Sequence, residues 1–457
     1  MKIVIPPFHE RISHFDNPFD HDVLNRRTFA KNLTRLLSNS DAGLVITINA
    51  KWGDGKTTFI KLWETELRKD YYNIPIYYNA FKNDFAGDPF LSIAAKIHEE
   101  IKKKFELEGK RYKSYQQLKY FKKTTKKLAK ELVKMGFGLT IGSLSSGLIN
   151  INQLKTWFEN SIKKLVFGTL EVNIDEKFES YSNAQSVLKE YQAMLTSLLE
   201  PDEQHTNSKS RRIFFFIDEL DRCRPSFAVE ILEKVKHLFQ INNVHFILAI
   251  NGVQLLSTIA NVYGVSKEEA NIYLQKFVHF ETKFPPINWS GEENQIAFLI
   301  SKLYDDYEIA DIIYTKNKFV STLTDLAKPQ MLNLNPRAIE RILTYVAIAI
   351  NSCDKDTAKD YAKHFLVMSA LKVSESDLYE SCKDGKIKGR SQNNAAKYFE
   401  WLKNYYKGER EDEAANVFKV QGLPEACKIL DIYEIPKETT YYDTNVEILK
   451  NSQKSSK

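Results

Sequence analysis

With 457 residues the chain has room for about three domain-sized units at ~150 residues each. A hydrophobic fraction of 43% supports real cores and excludes a mostly disordered chain, while a net charge of +6 is mild over this length. The charge is uneven: residues 102–134 carry 13 Lys/Arg against 3 Glu, a local net of +10, so the remainder sums to −4. Cys223, Cys353, Cys382 and Cys427 form no C-x-x-C pair, and their spacing suits neither a zinc site nor a disulfide framework. They read as reduced, buried thiols of a cytoplasmic protein. The first residues, Met1-Lys2-Ile3-Val4-Ile5-Pro6-Pro7, contain no long apolar run, so no secretory signal is expected.

Residues 22–37 place Val23, Leu24, Phe29, Leu33, Leu36 and Leu37 close to a helical stripe. Leu44-Val45-Ile46-Thr47-Ile48 is short, apolar and β-branched, which predicts a buried strand. It runs into Gly53-Asp54-Gly55-Lys56-Thr57-Thr58 and then an amphipathic helix from Phe59. A second strand is expected over 74–78 and a helix from about Pro89. The basic stretch 101–134 reads as helical. The uncharged residues 135–154 have the length of a spanning helix, but Gly136, Gly138, Gly142, Gly147 and a set of Ser, Thr, Asn and Gln make them weakly apolar. A buried or interfacial helical hairpin is preferred to a membrane span there.

The run Ile213-Phe214-Phe215-Phe216-Ile217 is too apolar for anything but a buried strand. A helix over about 226–239 leads to another strand, 244–250. Strands alternating with helices predict an α/β fold with a doubly wound parallel sheet. After Pro285-Pro286 no strong strand signal remains, and the last third reads as helical, ending in a polar tail at 451–457.

Two motifs carry chemistry. Ala50-Lys51-Trp52-Gly53-Asp54-Gly55-Lys56-Thr57 matches G-x-x-x-x-G-K-[ST] with Ala50 in place of the first Gly. Such a loop turns backbone N–H groups, together with the positive end of the following helix, towards phosphate oxygens. Lys56 would reach the β- and γ-phosphates and the Thr57 hydroxyl would ligate Mg²⁺. Trp52, Gly53, Asp54, Gly55 and Thr58 complete the nucleotide-binding set. In Phe216-Ile217-Asp218-Glu219, carboxylates end a buried strand at the sheet edge where ligands bind in such folds. Asp218 would hold Mg²⁺ and Glu219 would act as general base on water. Asn251, at the end of the next strand, is a candidate for orienting that water. Asn335-Pro336-Arg337 reads as N-cap, Pro at N1 and an Arg in the first turn. A cation there opposes the helix macrodipole, so Arg337 is a candidate to face an anion. Arg222 and Arg224 would act as fingers in trans or pair with neighbouring carboxylates. With no N-K-x-D motif to read guanine, ATP is the expected nucleotide.

These residues resemble the KAP family of P-loop NTPases, a branch of the STAND/AAA-like ATPases. The resemblance rests on Trp52-Gly53-Asp54-Gly55-Lys56-Thr57, Tyr78-Asn79-Ala80-Phe81 and Phe216-Ile217-Asp218-Glu219-Leu220-Asp221-Arg222-Cys223. It extends to Tyr273-Leu274-Gln275-Lys276-Phe277, Phe284-Pro285-Pro286 and Asn335-Pro336-Arg337, covering about residues 15–350. It implies a nucleotide-binding core, a helical lid, and between the two motifs an insertion that in the family often spans the membrane. Asn251 stands where the family commonly has Asp. Members lacking membrane helices occur in bacteria, frequently beside genes of anti-phage defence.

The expected organisation is a P-loop core in two parts, 1–100 and 176–288, split by a basic helical insertion at 101–175. A helical lid at 289–350 and a helical C-terminal domain at 351–457 follow. The expected function is an ATP-driven conformational or oligomerisation switch, acting as a homo-oligomer with a separate protein effector encoded nearby. An alternative makes 102–134, where Tyr112, Tyr115, Tyr120 and Phe121 interleave with lysines, a nucleic-acid-binding segment regulated by ATP. A solvated helical face with its aromatics turned inward is preferred to it. A membrane-associated scaffold is the remaining alternative.

Overall fold

In the computed structural model of the chain, the described residues are 16–84, 89–107, 112–134, 174–200, 209–238, 241–289, 294–309, 315–383, 386–388, 401–402, 404–406, 410–414, 417–420 and 423–431. A 3-10 turn, Pro18–His21, precedes α1, Arg27–Ser38. The helix starts later than the apolar stripe predicts. The Asp22 carboxylate accepts the Leu24 and Arg26 amides at 3.2 and 2.6 Å, and Asn25 sits at φ 50°, which breaks the helical path.

The core then alternates strand and helix: β1 (Val45–Asn49), α2 (Lys56–Leu67), β2 (Asn73–Asn79), α3 (Ala80–Asn83), α4 (Pro89–Leu107), α5 (Tyr112–Lys134) and α6 (Ile174–Leu199). It continues through β3 (Arg212–Asp218), α7 (Pro225–Leu238), β4 (Val244–Ile250), α8 (Gly252–Tyr263), α9 (Lys267–Leu274) and β5 (Phe280–Lys283). The five strands form one parallel sheet in the order β2-β3-β4-β1-β5. The first four were legible as apolar runs. The Phe280-Glu281-Thr282-Lys283 strand was not, because it is short and its alternate residues Glu281 and Lys283 are charged and exposed.

The two faces of the sheet divide the apolar residues by alternation. Phe214 and Phe216 of β3 join Ile46, Ile48 and Ile247 under α1 and α2, while Ile213, Phe215 and Ile217 face α4, α7 and α8. Trp63 of α2 is fully buried, its ring centroid 5.1 Å from Phe216 and 5.7 Å from Phe59, and its Nε1 donates to Thr34 Oγ1 at 2.8 Å. This is how the helix bearing Lys56 and Thr57 is fixed against the sheet.

α5 lies against α4 and α6. Phe121 is fully buried and stacked on Tyr191 at 5.3 Å, beside Leu118 and Leu128, while Lys119, Lys122, Lys123, Lys126, Lys127 and Lys130 are exposed. Tyr120 is exposed, and its hydroxyl donates to Glu190. The described lysines of α5 are therefore the outer face of a packed helix, with Phe121 withdrawn from stacking on bases. The expected hairpin at 135–154 and the tail at 451–457 lie outside the described residues. Among the described residues, no helix is long and apolar enough to cross a membrane.

A second core is built from α10 (Gln295–Asp306), α11 (Lys316–Ala327), α12 (Pro336–Asn351), α13 (Lys355–Ser374), α14 (Ser376–Lys383) and α15 (Leu423–Leu430). The last third is not helical throughout. β6 (Lys386–Lys388), β8 (Val417–Val420) and β7 (Arg410–Ala414) form an antiparallel sheet in that order. Lys-Ile-Lys and Arg-Glu-Asp-Glu-Ala are too charged and short to announce strands. Trp63→Ala should cost about 3–5 kcal/mol in denaturant unfolding of the core, and Thr34→Ala only about 1 kcal/mol; equal costs would contradict ring packing as the main contribution.

Candidate active site

β1, between β4 and β5, ends at the C-terminal end of the parallel sheet and releases the chain into the loop 50–55. Gly53 and Gly55 take φ 92° and 82°, a left-handed backbone that glycine adopts without steric cost. Ala50 is not in that region, so it needs no glycine, and its amide donates to Ile250 O at 3.1 Å. Asp54 braces the turn: its Oδ2 accepts the Lys51 amide at 2.9 Å, and its carbonyl accepts Arg26 Nη2 at 2.9 Å. Asp54 itself does not line the cleft, whereas Trp52, Gly53, Gly55, Lys56, Thr57 and Thr58 do. The Lys56 ammonium donates to the carbonyls of Ala50 and Lys51 at 2.8 and 3.2 Å, and burial lowers its pKa against the pull of Asp221, Asp218 and Asp54.

β3 delivers the carboxylates. Thr57 Oγ1 donates to Asp218 Oδ2 at 2.7 Å, joining the two motifs across 161 positions of sequence. The Tyr77 hydroxyl donates to the same oxygen at 3.1 Å, and the Glu219 amide to Oδ1 at 2.9 Å. Asp218 is 1% exposed, and its pKa is raised because burial disfavours the charged form. Thr57 Oγ1 and Asp218 Oδ2 are hard oxygen donors side by side, the small protein share that Mg²⁺ takes when phosphates and water supply the rest. They fit that ion.

Glu219 adopts φ 60°, which turns it away from the strand path. Its Oε1 pairs with Arg222 Nη1 at 2.8 Å, and its Oε2 accepts Asn79 Nδ2 at 2.9 Å. Asn79 stands directly beside Asp218 in the β2–β3 register. Arg224 points elsewhere: its amide and Nε both donate to the Asp84 carboxylate at 2.8 Å. Trp52 Nε1 donates to Asp221.

The helical region reaches the loop through α12. Asn335 caps it, accepting the Ala338 amide at 2.9 Å, and its Nδ2 donates to Trp52 O at 2.7 Å. The Arg337 amide donates to Gly53 O at 3.3 Å. Arg337 lines the cleft, and its guanidinium has no ion pair among the described residues. Asn251 does not line the cleft; it is the N-cap of α8, and the Gly252 amide donates to Asn49 Oδ1 at 2.8 Å. Sequence reasoning missed Tyr77, which no motif marks, and the hydrogen-bonding role of Asn79. It also missed the lining residues Val23, Leu24, Leu299 and Leu303. The whole cleft measures about 740 Å³, the size of a small-ligand site.

The KAP family P-loop domain matches residues 26–352, from α1 to the end of α12. The chain belongs to the KAP family. None of the curated proteins compared matches it. The KAP match spans the loop, both carboxylates and the Asn335–Arg337 helix start, and points to nucleotide binding and hydrolysis. It leaves the residues after 352 outside.

Asp218 carries a stability consequence. A carboxyl whose folded pKa is raised stabilises the fold fully only below its ordinary value of 3.8, and that contribution is lost as pH rises through the folded value. At pH 7 the ionised group is a cost. Asp218→Asn should therefore raise the melting temperature of nucleotide-free protein by about 2–4 °C at pH 7, with the gain shrinking towards pH 4; a lower melting temperature would contradict this. Gly53→Ala should abolish nucleotide binding in a titration, because the added Cβ would lie 2.6 Å from the Asn335 side chain at a left-handed φ.

Proposed function

We propose that this KAP protein is a Mg²⁺-dependent ATPase whose nucleotide cycle moves its helical region against the P-loop core. The observation that carries the reading is the 2.7 Å contact of Thr57 with Asp218, with Lys56 and Glu219 on either side in sequence. Bound triphosphate would be held by the loop amides, and Lys56 would exchange the Ala50 and Lys51 carbonyls for phosphate oxygens. Mg²⁺ would sit on Thr57 and Asp218, offsetting the charge that develops on the phosphates. Glu219 would take the proton of the attacking water once one of its oxygens is released from Arg222 or Asn79. Arg337, cationic on the cleft wall, would meet the terminal phosphate and draw α12 towards it. A nucleotide that binds the closed arrangement more tightly shifts the chain to it.

On the ground of family resemblance, the cycle would serve as an oligomerisation switch in bacterial anti-phage defence, with a separate effector. The nucleic-acid reading of the α5 lysines keeps its phosphate-neutralising charges but not Phe121, so any such binding would be electrostatic and steeply salt-dependent.

Purified protein should hydrolyse ATP only with Mg²⁺ present. Lys56→Ala and Glu219→Gln should each lower kcat by about 10²–10⁴-fold, and Glu219→Gln should still bind ATP. Wild-type turnover in both variants would sink the ATPase assignment.

A further inference from the structure

The carboxylate of Asp218 is fixed by more than its partner on α2. Among the described residues it takes three donors: Thr57 Oγ1 at 2.7 Å and the Tyr77 hydroxyl at 3.1 Å on Oδ2, and the Glu219 amide at 2.9 Å on Oδ1. Thr57 is itself a candidate metal ligand, and the Glu219 amide belongs to the main chain. Tyr77 is therefore the donor of the three that a side-chain change removes without touching either ligand.

The sheet puts Tyr77 there. It pairs with Phe216 in the β2–β3 register, and Asn79 pairs with Asp218. Residues two apart on a strand share a face, so Tyr77 stands diagonally behind Asp218, a span that an aromatic side chain covers. Its ring packs against the cluster that holds Phe214 and Phe216, where a phenylalanine would serve equally. The hydroxyl is what tyrosine adds. Burial and the neighbouring Asp218 charge push the phenol pKa above its ordinary value, so the group keeps its proton and donates.

α2 closes over the ring. Lys61 follows Thr57 by four residues, one turn along the same side of the helix. Its ammonium lies 3.3 Å from the Tyr77 ring centroid and donates to Glu64 Oε2 at 2.8 Å. A cation so placed is attracted by the ring face, and buried Glu64 in turn anchors the ammonium. Lys61 and Tyr77 both line the cleft. One helix thus carries Thr57 and, a turn later, the clamp on the residue that holds Asp218.

We propose that Tyr77, clamped by Lys61, is a positioning residue that orients the Asp218 carboxylate for the metal ion and so sets how strongly Mg²⁺ supports nucleotide binding. The inference deepens the Mg²⁺-nucleotide reading above and rests on it. A carboxylate released on one oxygen can rotate, and that freedom must be given up when the ion binds. Losing an outer partner of this kind typically costs about 10–100-fold in metal affinity.

Binding of ATP to the full chain in the Glu219→Gln background, by titration calorimetry in excess Mg²⁺ and in EDTA, tests this. The ratio of the two affinities is the Mg²⁺ enhancement, and it is taken on one sample, so partial loss of folded protein does not alter it. Tyr77→Phe should lower the enhancement by about 10–100-fold and leave the affinity in EDTA unchanged. Lys61→Ala should lower it by about two- to fivefold, while Lys61→Arg, which keeps a cation over the ring, should stay near the parent. Adding Lys61→Ala to Tyr77→Phe should lower it no further, because the clamp acts through the hydroxyl. An enhancement that is unchanged or raised in Tyr77→Phe, including equal losses with and without Mg²⁺, would overturn the positioning role. No effect of Lys61→Ala, or the same effect with and without the hydroxyl, would overturn the clamp. A parent that binds no ATP, or binds it equally with and without Mg²⁺, would instead overturn the proposed function itself.

Discussion

A hydroxyl and a carboxylate from distant parts of the sequence meet at 2.7 Å, Thr57 Oγ1 on Asp218 Oδ2, and the rest of the core is arranged to permit it. β4 lies between β1 and β3, so the loop after β1 must reach across one strand to the end of β3. A parallel sheet brings all these strand ends to one edge. Trp63 wedged against Phe216 and Phe59 holds α2 at the height that makes the contact. Burial then sets the chemistry: Asp218 and Lys56, both withdrawn from water, have their charged forms disfavoured until opposite charge arrives.

Around that contact the polar groups are already engaged with the chain itself. Lys56 holds loop carbonyls, while Glu219 holds Arg222 and Asn79. Asn335 and the Arg337 amide hold the carbonyls of Trp52 and Gly53. Each of these bonds is one that a bound triphosphate would compete with or rearrange. The helical region is therefore tied, through the carbonyls of Trp52 and Gly53, to the same loop whose amides would grip the ligand, which gives ligand binding a physical route to α12.

The sequence made the chemistry legible because its motifs are local. Gly53-Asp54-Gly55-Lys56-Thr57 and Phe216-Ile217-Asp218-Glu219 each combine a buried strand with its functional end, and both periodicity and residue type speak there. The Asn335-Pro336-Arg337 helix start was readable for the same reason, as a cap. What stayed hidden depends on packing between distant segments. Tyr77 matters because β2 neighbours β3 and so brings its hydroxyl onto Asp218. Asn251 follows β4 directly, but it stands as the N-cap of α8 and does not line the cleft. The strands near 386–420 escaped notice because they are short and carry charge.

The basic stretch 102–134 shows the same limit. Its charge was plain in the sequence, but the inward turn of Phe121 onto Tyr191 is a tertiary fact. The most direct measurement of the central claim is a crystal structure with Mg²⁺ and a non-hydrolysable ATP analogue. The expected result is the ion bridging Thr57 and Asp218 to the phosphates, with the Lys56 ammonium moved from Ala50 and Lys51 onto them. A nucleotide bound elsewhere, with Lys56 still on those carbonyls, would contradict it.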